Sequence, residues 1–150
     1  MASGGRYHAK RFRRHIIVIN GGGNVLENKK AMATVAVKDL ATAKRFYEGT
    51  LGLKLVAGRQ EPGTLAYETG GAPLLVYTSQ FAGTNEATAV TWIVGADVEG
   101  VVHALKARGV VFEHYDFPGV TRTGDLHVAG HLKNAWFKDP DGNIHGLVNG

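Results

Sequence analysis

The amino-acid sequence predicts an α+β fold in which two βαβββ modules form a curved, mostly antiparallel sheet with a cleft. The first observation behind this prediction is a repeated order of strand-like and helix-like segments along the chain. The second is the length, because 150 residues suffice for one domain whereas half of them cannot bury a sheet face alone. The third is a content of 21 glycines, which indicates many tight turns between short strands.

Residues 31–80 contain the first predicted module. Alternating apolar residues in MATVAV predict a strand, and Asp39 is a residue type that caps helix N-termini. Apolar side chains then recur at helical spacing from Leu40 to Leu51, and Gly52 is a typical helix stop. KLVAG, TLAYET and PLLVYTS predict three short strands, separated by the turn-forming segments EPG and GGAP.

Residues 87–149 repeat this order and contain the second predicted module. AVTWIV predicts a strand, Asp97 a second N-cap, and the apolar stripe from Val98 to Leu105 a second helix. VVFEH, NAWFKD and NIHGLVN predict the strands that follow, and DPDGN predicts a structural turn between the last two. The polar residues 116–133 have no clear period, so we expect a lid over a pocket there.

The positive net charge of the chain is concentrated in a basic arm, residues 1–30. This arm holds seven Lys and Arg residues and one acidic residue, whereas the rest of the chain holds ten basic and twelve acidic side chains. A clustered basic arm is more often solvated than bound to nucleic acid, so no nucleic-acid partner is predicted. The sequence has no apolar run near the ~18 residues of a membrane span, and we expect a cytoplasmic protein without membrane contact.

Cysteine is absent from the sequence. Its absence excludes disulfides, thiolate nucleophiles and Cys-ligated zinc or iron–sulfur clusters. Any bound metal would therefore need histidine or carboxylate ligands. The two serines, Ser3 and Ser79, lie outside a GxSxG pattern, so a serine nucleophile is not indicated either.

Two long motifs carry a family resemblance. AVKDLATAKRFYEGTLGLKLV, followed about 85 residues later by AWFKDPDGNIHGLV, resembles the vicinal oxygen chelate superfamily. That superfamily includes glyoxalase I, extradiol dioxygenases, fosfomycin-inactivating enzymes and bleomycin-resistance proteins. The resemblance covers residues 31–149 and implies a glyoxalase-like fold, a ligand cleft and a homodimer.

The resemblance also implies where a metal would be bound. In metal-dependent members the ligands lie on the first and last strands of each module, and these positions fall on Met32, Leu75, Val90 and Gly146. None of these residues offers a histidine nitrogen or a carboxylate oxygen to a divalent cation. We therefore expect no metal and no cofactor, as in the bleomycin-resistance branch.

The alternation of the predicted strands indicates which side chains would line the cleft. We expect a wall formed by Met32, Thr34, Leu75, Tyr77, Val90, Trp92, Ile144 and Gly146, joined by Tyr67 and Trp136. Such a wall of aromatic and apolar groups suits a flat organic ligand, and Arg122 could pair with a carboxylate or phosphate of that ligand. The alternative is that the same residues fill a closed core.

Two functions remain open from the sequence. The first is a metal-free protein that binds a small organic molecule. The second is a glyoxalase-like enzyme of lyase, isomerase or dioxygenase type, in which His127 and His131 are the candidate acid–base groups or a non-standard metal site is used. These two histidines are four residues apart, but Gly124 and Gly130 argue against a helix that would pair them.

Overall fold

The computed structural model describes residues 26, 29–58 and 60–150. Nearly all of the predicted basic arm lies outside these residues. Within the described part of the chain, no helix is long and apolar enough to cross a membrane. The first module contains strand β1 (Thr34–Val37), helix α1 (Leu40–Lys44) with a π-helical continuation (Arg45–Thr50), and strands β2 (Thr64–Tyr67) and β3 (Leu74–Thr78).

The second module begins with strand β4 and a short 3-10 turn before its helix. The elements are β4 (Thr88–Ile93), the 3-10 turn (Gly95–Asp97), α2 (Val98–Ala107), β5 (Phe112–Glu113), β6 (Thr121–Thr123), β7 (Leu126–Ala129), β8 (Leu132–Lys138) and β9 (Ile144–Val148).

The strands form two hydrogen-bonded sheets, in the orders β1-β3-β2 and β4-β9-β8-β7-β6, with β5 also paired to β8. In both modules the first strand runs parallel to the last, as β1 with β3 and β4 with β9. The other paired strands are antiparallel. The predicted α+β class is confirmed, with strand β1 in contact with β4 between the two sheets.

The two helices begin differently. Asp39 caps α1 as predicted, because its carboxylate accepts a hydrogen bond of 2.6 Å from the backbone N–H of Thr42. Asp97 precedes α2 but makes no such side-chain bond, and the 3-10 turn lengthens the connection after β4. The register of β4 also shifts between Thr88 and Val90. When Asp97 is placed on Asp39 the two helices therefore align, but the side chains of β4 and β1 are one residue out of phase.

The polar stretch expected to be a lid without regular structure contains a hairpin, so that part of the prediction was wrong. Strands β6 and β7 lie within it and pair in antiparallel register. Residues 114–125 connect β5 to β7 and include β6, and we call them the excursion. Its ends are held together by Asp125, whose carboxylate accepts hydrogen bonds from Lys106 at 2.6 Å and His114 at 2.9 Å.

Both helices cover one face of the strands, and two apolar clusters form there. In the first module the strand side chains in the cluster are Val35, Val37, Tyr67, Leu74 and Val76. In the second they are Phe112, Leu126, Ala135, Phe137 and Leu147. Phe46, Leu51 and Trp92 pack against both clusters. These three side chains extend the hydrophobic core across the boundary between the modules.

The DPDGN turn between β8 and β9 is bonded to the first module. The Asn143 side-chain amide donates to the carbonyl of Ala36 at 2.8 Å, and the Asp141 carboxylate accepts from the backbone N–H of Lys38 at 3.1 Å. Asp139 is buried and accepts from the backbone and side chain of Asn143. A motif that the sequence identified only as a turn thus joins the two modules, and we call these contacts the turn junction.

A buried chain of hydrogen bonds continues from the turn junction into the core. Trp92 donates its indole N–H to Nδ1 of His145 at 3.1 Å, so the neutral imidazole carries its proton on Nε2. That nitrogen lies 3.2 Å from the Tyr47 hydroxyl, which donates to Asp139 at 2.8 Å. Burial, with the Asp139 carboxylate nearby, raises the pKa of Tyr47 above its ordinary value. The phenol therefore stays protonated and donates.

We predict that Tyr47→Phe destabilises the fold. The substitution leaves the Nε2 proton of His145 without its acceptor and removes one donor to Asp139, which should lower the free energy of unfolding by about 1–3 kcal/mol. Tyr77→Phe is the matched control, because Tyr77 is only half-buried, and should change it by less than about 0.5 kcal/mol. Urea titration measures both. Equal stabilities of the two variants would contradict a structural role for the Tyr47 hydroxyl.

We also predict a loss of stability in mild acid. Burial lowers the pKa of His145 to about 4, against the opposing effect of the Asp139 carboxylate. Between this value and the ~6.5 of an exposed histidine, the unfolded chain binds a proton that the folded chain does not. The free energy of unfolding should therefore fall as the pH drops through this interval, by up to about 1.4 kcal/mol per pH unit.

Histidine NMR and denaturant titrations from pH 7 to pH 4 test this pH dependence. His145 should remain neutral to about pH 4. His131→Gln is the control, because that side chain is exposed and its removal should leave the pH profile unchanged. A His145 signal that titrates near pH 6.5 would disprove the prediction.

Candidate ligand-binding site

The strands have a second face, turned away from the helices, which we call the outer face. In the second module, the register pairs Gly146 with Trp136 on β8 and with Thr91 on β4. Because side chains alternate along a strand, these three positions share the face opposite to Ala135 and Leu147, which pack under α2. The outer face is therefore the surface on which a ligand can approach the sheet without displacing a helix.

A cavity of about 330 Å³ opens on this face of the second module. Its lining residues are Glu86, Ala87, Thr88, Tyr115, Phe117, Trp136 and Ile144. Three of them are aromatic, and their ring centroids lie 5.6 Å apart for Tyr115 and Trp136 and 5.9 Å apart for Phe117 and Trp136. We call this space the aromatic pocket. Its size and lining are typical of sites for small organic molecules.

Two of the three rings are supplied by the excursion. Tyr115 and Phe117 follow β5 and lie over the outer face, while Trp136 projects from β8. Asp125, at the end of the excursion, accepts hydrogen bonds from Lys106 on α2 and from His114 at the start of the excursion. Both donors lower the pKa of Asp125. This ionised carboxylate fixes the chain at the point where Tyr115 leaves the sheet.

His127 lies against the aromatic pocket and contacts all three rings. Its ring centroid is 4.9 Å from that of Trp136 in an edge-to-face arrangement, 6.2 Å from Tyr115 and 6.4 Å from Phe117. The side chain is only 1% exposed. The histidine thus packs against the three rings of the pocket without lining the cavity itself, although the sequence identified it only as an acid–base candidate.

The hydrogen bonds of His127 determine its tautomer. The backbone N–H of Tyr115 donates to Nε2 at 2.9 Å, and a backbone N–H can only donate. Nε2 must therefore carry the lone pair, which places the proton of the neutral imidazole on Nδ1. Nδ1 is buried and has no hydrogen-bond partner among the described residues. An unpaired buried donor of this kind is costly and rare in folded proteins.

Several residues predicted to line the cleft do lie on the outer face. Thr34 pairs with Leu75, and Tyr77 lies two residues farther along β3, so these three share one face of the first module. Ile144 and Trp136 line the aromatic pocket itself. Met32 precedes β1 and is exposed.

The predicted facing of Val90, Trp92 and Tyr67 was wrong. Val90 and Trp92 pair with His145 and Leu147 on the helix side, because the 3-10 turn lengthens the connection between β4 and Asp97 and so reverses the alternation counted back from Asp97. Tyr67 is fully buried in the first apolar cluster. Thr91 is the β4 residue that stands opposite Gly146 on the outer face.

A larger cleft of about 670 Å³ runs along the edge of β4 and includes residues of both modules. Val90, Thr91, Trp92 and Ile93 form one side, and the segment from Thr69 to Leu74 forms part of the other. Its lining holds no ionisable side chain and one aromatic ring. The aromatic pocket offers more specific chemistry in a smaller space.

The structure separates the two candidate histidines. His131 is exposed at the end of the turn after β7, where its backbone carbonyl accepts from the Asn149 side chain. Arg122, in contrast, pairs in register with His127 across β6 and β7 and so shares its face. The sequence correctly placed Arg122 and His127 in one segment but could not show that they are neighbours.

The four positions implied for a metal do not fit one. Val90 is in the core, Leu75 and Met32 carry no suitable donor atom, and a Cβ on Gly146 would lie 3.3 Å from the indole nitrogen of Trp136. The Trp136 ring thus borders the space into which a carboxylate at position 146 would project. Throughout residues 29–58 and 60–150, no group of three or more His, Asp or Glu side chains could hold a metal ion.

The sequence analysis missed Tyr115 and Phe117. Both lie in or beside the polar stretch, where no periodicity assigns a direction to a side chain. The one available signal was the presence of two aromatic residues in a segment otherwise rich in polar residues and glycine. Aromatic side chains of this kind are seldom left fully solvated.

Comparison with known structures shows the same fold in several proteins. A glyoxalase/bleomycin resistance protein/dioxygenase from Alicyclobacillus acidocaldarius gives a TM-score of 0.59 at 18% identity, over 81% of this chain and 90% of that one. The fosfomycin resistance protein FosX from Mesorhizobium loti gives 0.58 at 15% identity, over 83% and 93%. Oxidase ChaP-H2 gives 0.60 at 20% identity, over 83% and 95%.

These similarities define a glyoxalase-like fold. The family model of the Glyoxalase/Bleomycin resistance protein/Dioxygenase superfamily matches residues 30–145, and the chain belongs to this superfamily. The resemblance inferred from the two sequence motifs is thereby confirmed. Comparison with curated proteins gives no match.

We predict that the purified protein holds no stoichiometric transition metal. The positions that would supply ligands offer neither a histidine nor a carboxylate, so EDTA should leave the melting temperature unchanged. Elemental analysis and a thermal melt with and without chelator measure this. One equivalent of zinc, nickel, iron or manganese, lost to EDTA together with stability, would contradict the prediction.

Proposed function

We propose that the protein binds a flat organic molecule in the aromatic pocket without a metal ion. The observation that carries this proposal is the clustering of Tyr115, Phe117 and Trp136 around a cavity of about 330 Å³. Aromatic rings arranged at 5–6 Å from one another offer faces and edges to a planar ligand. The glycine at position 146 leaves room for the indole of Trp136 beside the strand.

Binding is better supported than acid–base catalysis by His127. A general base needs a free lone pair, and the Nε2 lone pair of His127 accepts the backbone N–H of Tyr115. His127 can therefore only donate through Nδ1 in this arrangement. His131 lines none of the cavity. A glyoxalase-like enzyme remains the second candidate, and product formation would distinguish it.

A homodimer and a cytoplasmic location complete the proposal. The support for self-association is an exposed apolar surface, since Ile93 on β4 is 78% exposed and lies beside the cleft between the modules. Light scattering should give the mass of two chains, and Ile93→Lys should shift the protein towards monomer. A monomer at all concentrations would contradict this part of the proposal.

We predict that Trp136→Leu weakens ligand binding. A thermal-shift screen of aromatic acids, quinones and aldehydes would identify a ligand, and calorimetry would give its affinity. Loss of the indole should weaken binding about tenfold, since an aromatic pair adds roughly 0.5–1.5 kcal/mol beyond its buried area. Tyr77→Leu is the matched control, because Tyr77 is half-buried on β3 of the other module and lies outside the pocket.

Two results would contradict the binding proposal. The first is equal affinity of the wild type and Trp136→Leu for every ligand found. The second is conversion of a ligand to a new product, detected by mass spectrometry, which would support the enzyme instead.

A further inference from the structure

We infer that the ligand of the aromatic pocket carries a carboxylate, which accepts the Nδ1 proton of His127 and pairs with Arg122. This inference rests on the proposed function and specifies the chemical class of the ligand. It starts from the unpaired donor that lies behind the rings of the pocket. His127 is the residue whose buried side-chain nitrogen lacks a partner among the described residues, and it lies in contact with the rings that line the cavity.

The hydrogen-bonding state of His127 requires an acceptor. Its Nε2 accepts the backbone N–H of Tyr115, so the proton of the neutral imidazole is on Nδ1. No polar group among the described residues accepts that proton, and the nearby side chains of Asp125 and His114 are hydrogen-bonded to each other. A ligand oxygen would therefore accept the Nδ1 proton of His127, which is otherwise unpaired.

Phe117 and Trp136 connect the cavity to His127. Both rings line the cavity and both contact the imidazole. Phe117 belongs to the excursion and is 47% exposed, so a planar ligand that turns it outward reaches the histidine without disturbing a strand. The ring system of the ligand then stacks on Trp136, and its acceptor lies against Nδ1.

The charges around His127 favour an anionic acceptor. Arg122 stands directly across from His127 on β6, is exposed, and forms no salt bridge with any described residue. Lys138 is paired with Glu113 at 3.4 Å and Lys106 with Asp125, so those cations are already compensated. A carboxylate can accept from an imidazole N–H and an arginine together.

Glu86 sets the orientation of the ligand. It is an exposed carboxylate at the margin of the cavity, and a ligand anion beside it would be repelled. The carboxylate of the ligand therefore points towards His127 and Arg122, with the uncharged end of the ring system towards Glu86. The class of ligand is a planar aromatic acid.

Three naphthalene probes of one shape test this inference. 2-Naphthoate carries the carboxylate, 2-naphthaldehyde carries an uncharged acceptor, and 2-methylnaphthalene carries none. The wild-type protein should bind naphthoate most tightly and prefer it to methylnaphthalene by about tenfold or more. In an NMR spectrum, the Nδ1 proton of His127 should move downfield when naphthoate is added and stay in place with methylnaphthalene.

Matched variants separate the two donors. The side-chain amide of Gln lies near the position of Nε2 and that of Asn near Nδ1, so His127→Gln should lose the preference for naphthoate while His127→Asn retains much of it. Arg122→Gln should weaken the binding of naphthoate and leave the affinity for naphthaldehyde unchanged. Arg45 lies on the π-helix of the other module, so Arg45→Gln is the control and should change neither of these two affinities.

The outcomes distinguish the inference from the proposed function. Failure of all three probes to bind would overturn both. Equal binding of naphthoate and methylnaphthalene by the wild type, lost in Trp136→Leu, would overturn only the inference. A preference for naphthaldehyde over naphthoate would overturn the inference that the ligand carries a carboxylate. If His127→Gln does not fold, the wild-type Nδ1 signal decides, and a signal unmoved by naphthoate overturns the inference.

Discussion

The Asp139 carboxylate joins the two modules, and the position of the last strand depends on it. It accepts the hydroxyl of Tyr47, the backbone N–H groups of Asp141 and Asn143, and the side-chain amide of Asn143. A carboxylate that is only 5% exposed would be costly without such donors, and with them it fixes the geometry of the turn. Because the turn leads directly into β9, the same contacts set the register of that strand.

The register of β9 then places adjacent residues on opposite faces of the sheet, where they have different roles. His145 faces the helices, stacks against Phe137 with ring centroids 5.1 Å apart, and completes the hydrogen-bond chain to Asp139. Gly146 faces the other way and leaves room for Trp136. A shift of one residue would place the imidazole at the pocket and the glycine in the core. The buried polar network and the aromatic pocket thus lie on opposite sides of the same strand.

The four positions at which the superfamily resemblance implied metal ligands hold no ligating side chain, and an aromatic ring lies beside one of them, Gly146. Trp136, Tyr115 and Phe117 come from two different elements, and the excursion that carries two of them is closed by Asp125. An indole beside position 146 supports stacking, whereas a carboxylate there would need the space that the indole borders.

By itself the sequence determined the fold class, the order of most strands and of both helices, the cap at Asp39 and the DPDGN turn. It did not predict the hairpin of β6 and β7, and the segment KLVAG, assigned to a strand, forms only an isolated bridge between Leu55 and Tyr67. These features depend on periodicity and on residues that act locally, so they can be recognised without knowing what lies nearby. The sequence also brought His127, Arg122 and Trp136 into consideration as members of a site. It assigned the wrong face to Val90 and Trp92, because a connection longer by one residue before Asp97 reverses the face of every strand residue counted back from it.

Only the tertiary structure decided which of these residues meet. The excursion brings Tyr115 and Phe117 over Trp136, and the cross-strand register brings Arg122 beside His127. The sequence separations involved reach about 20 residues, and no local pattern encodes them. The tautomer of His127, and with it the unpaired proton at the pocket, follows from a backbone N–H that only the folded chain places within 2.9 Å. Contacts of this kind depend on the packing of the whole chain and cannot be derived from the residues of one segment.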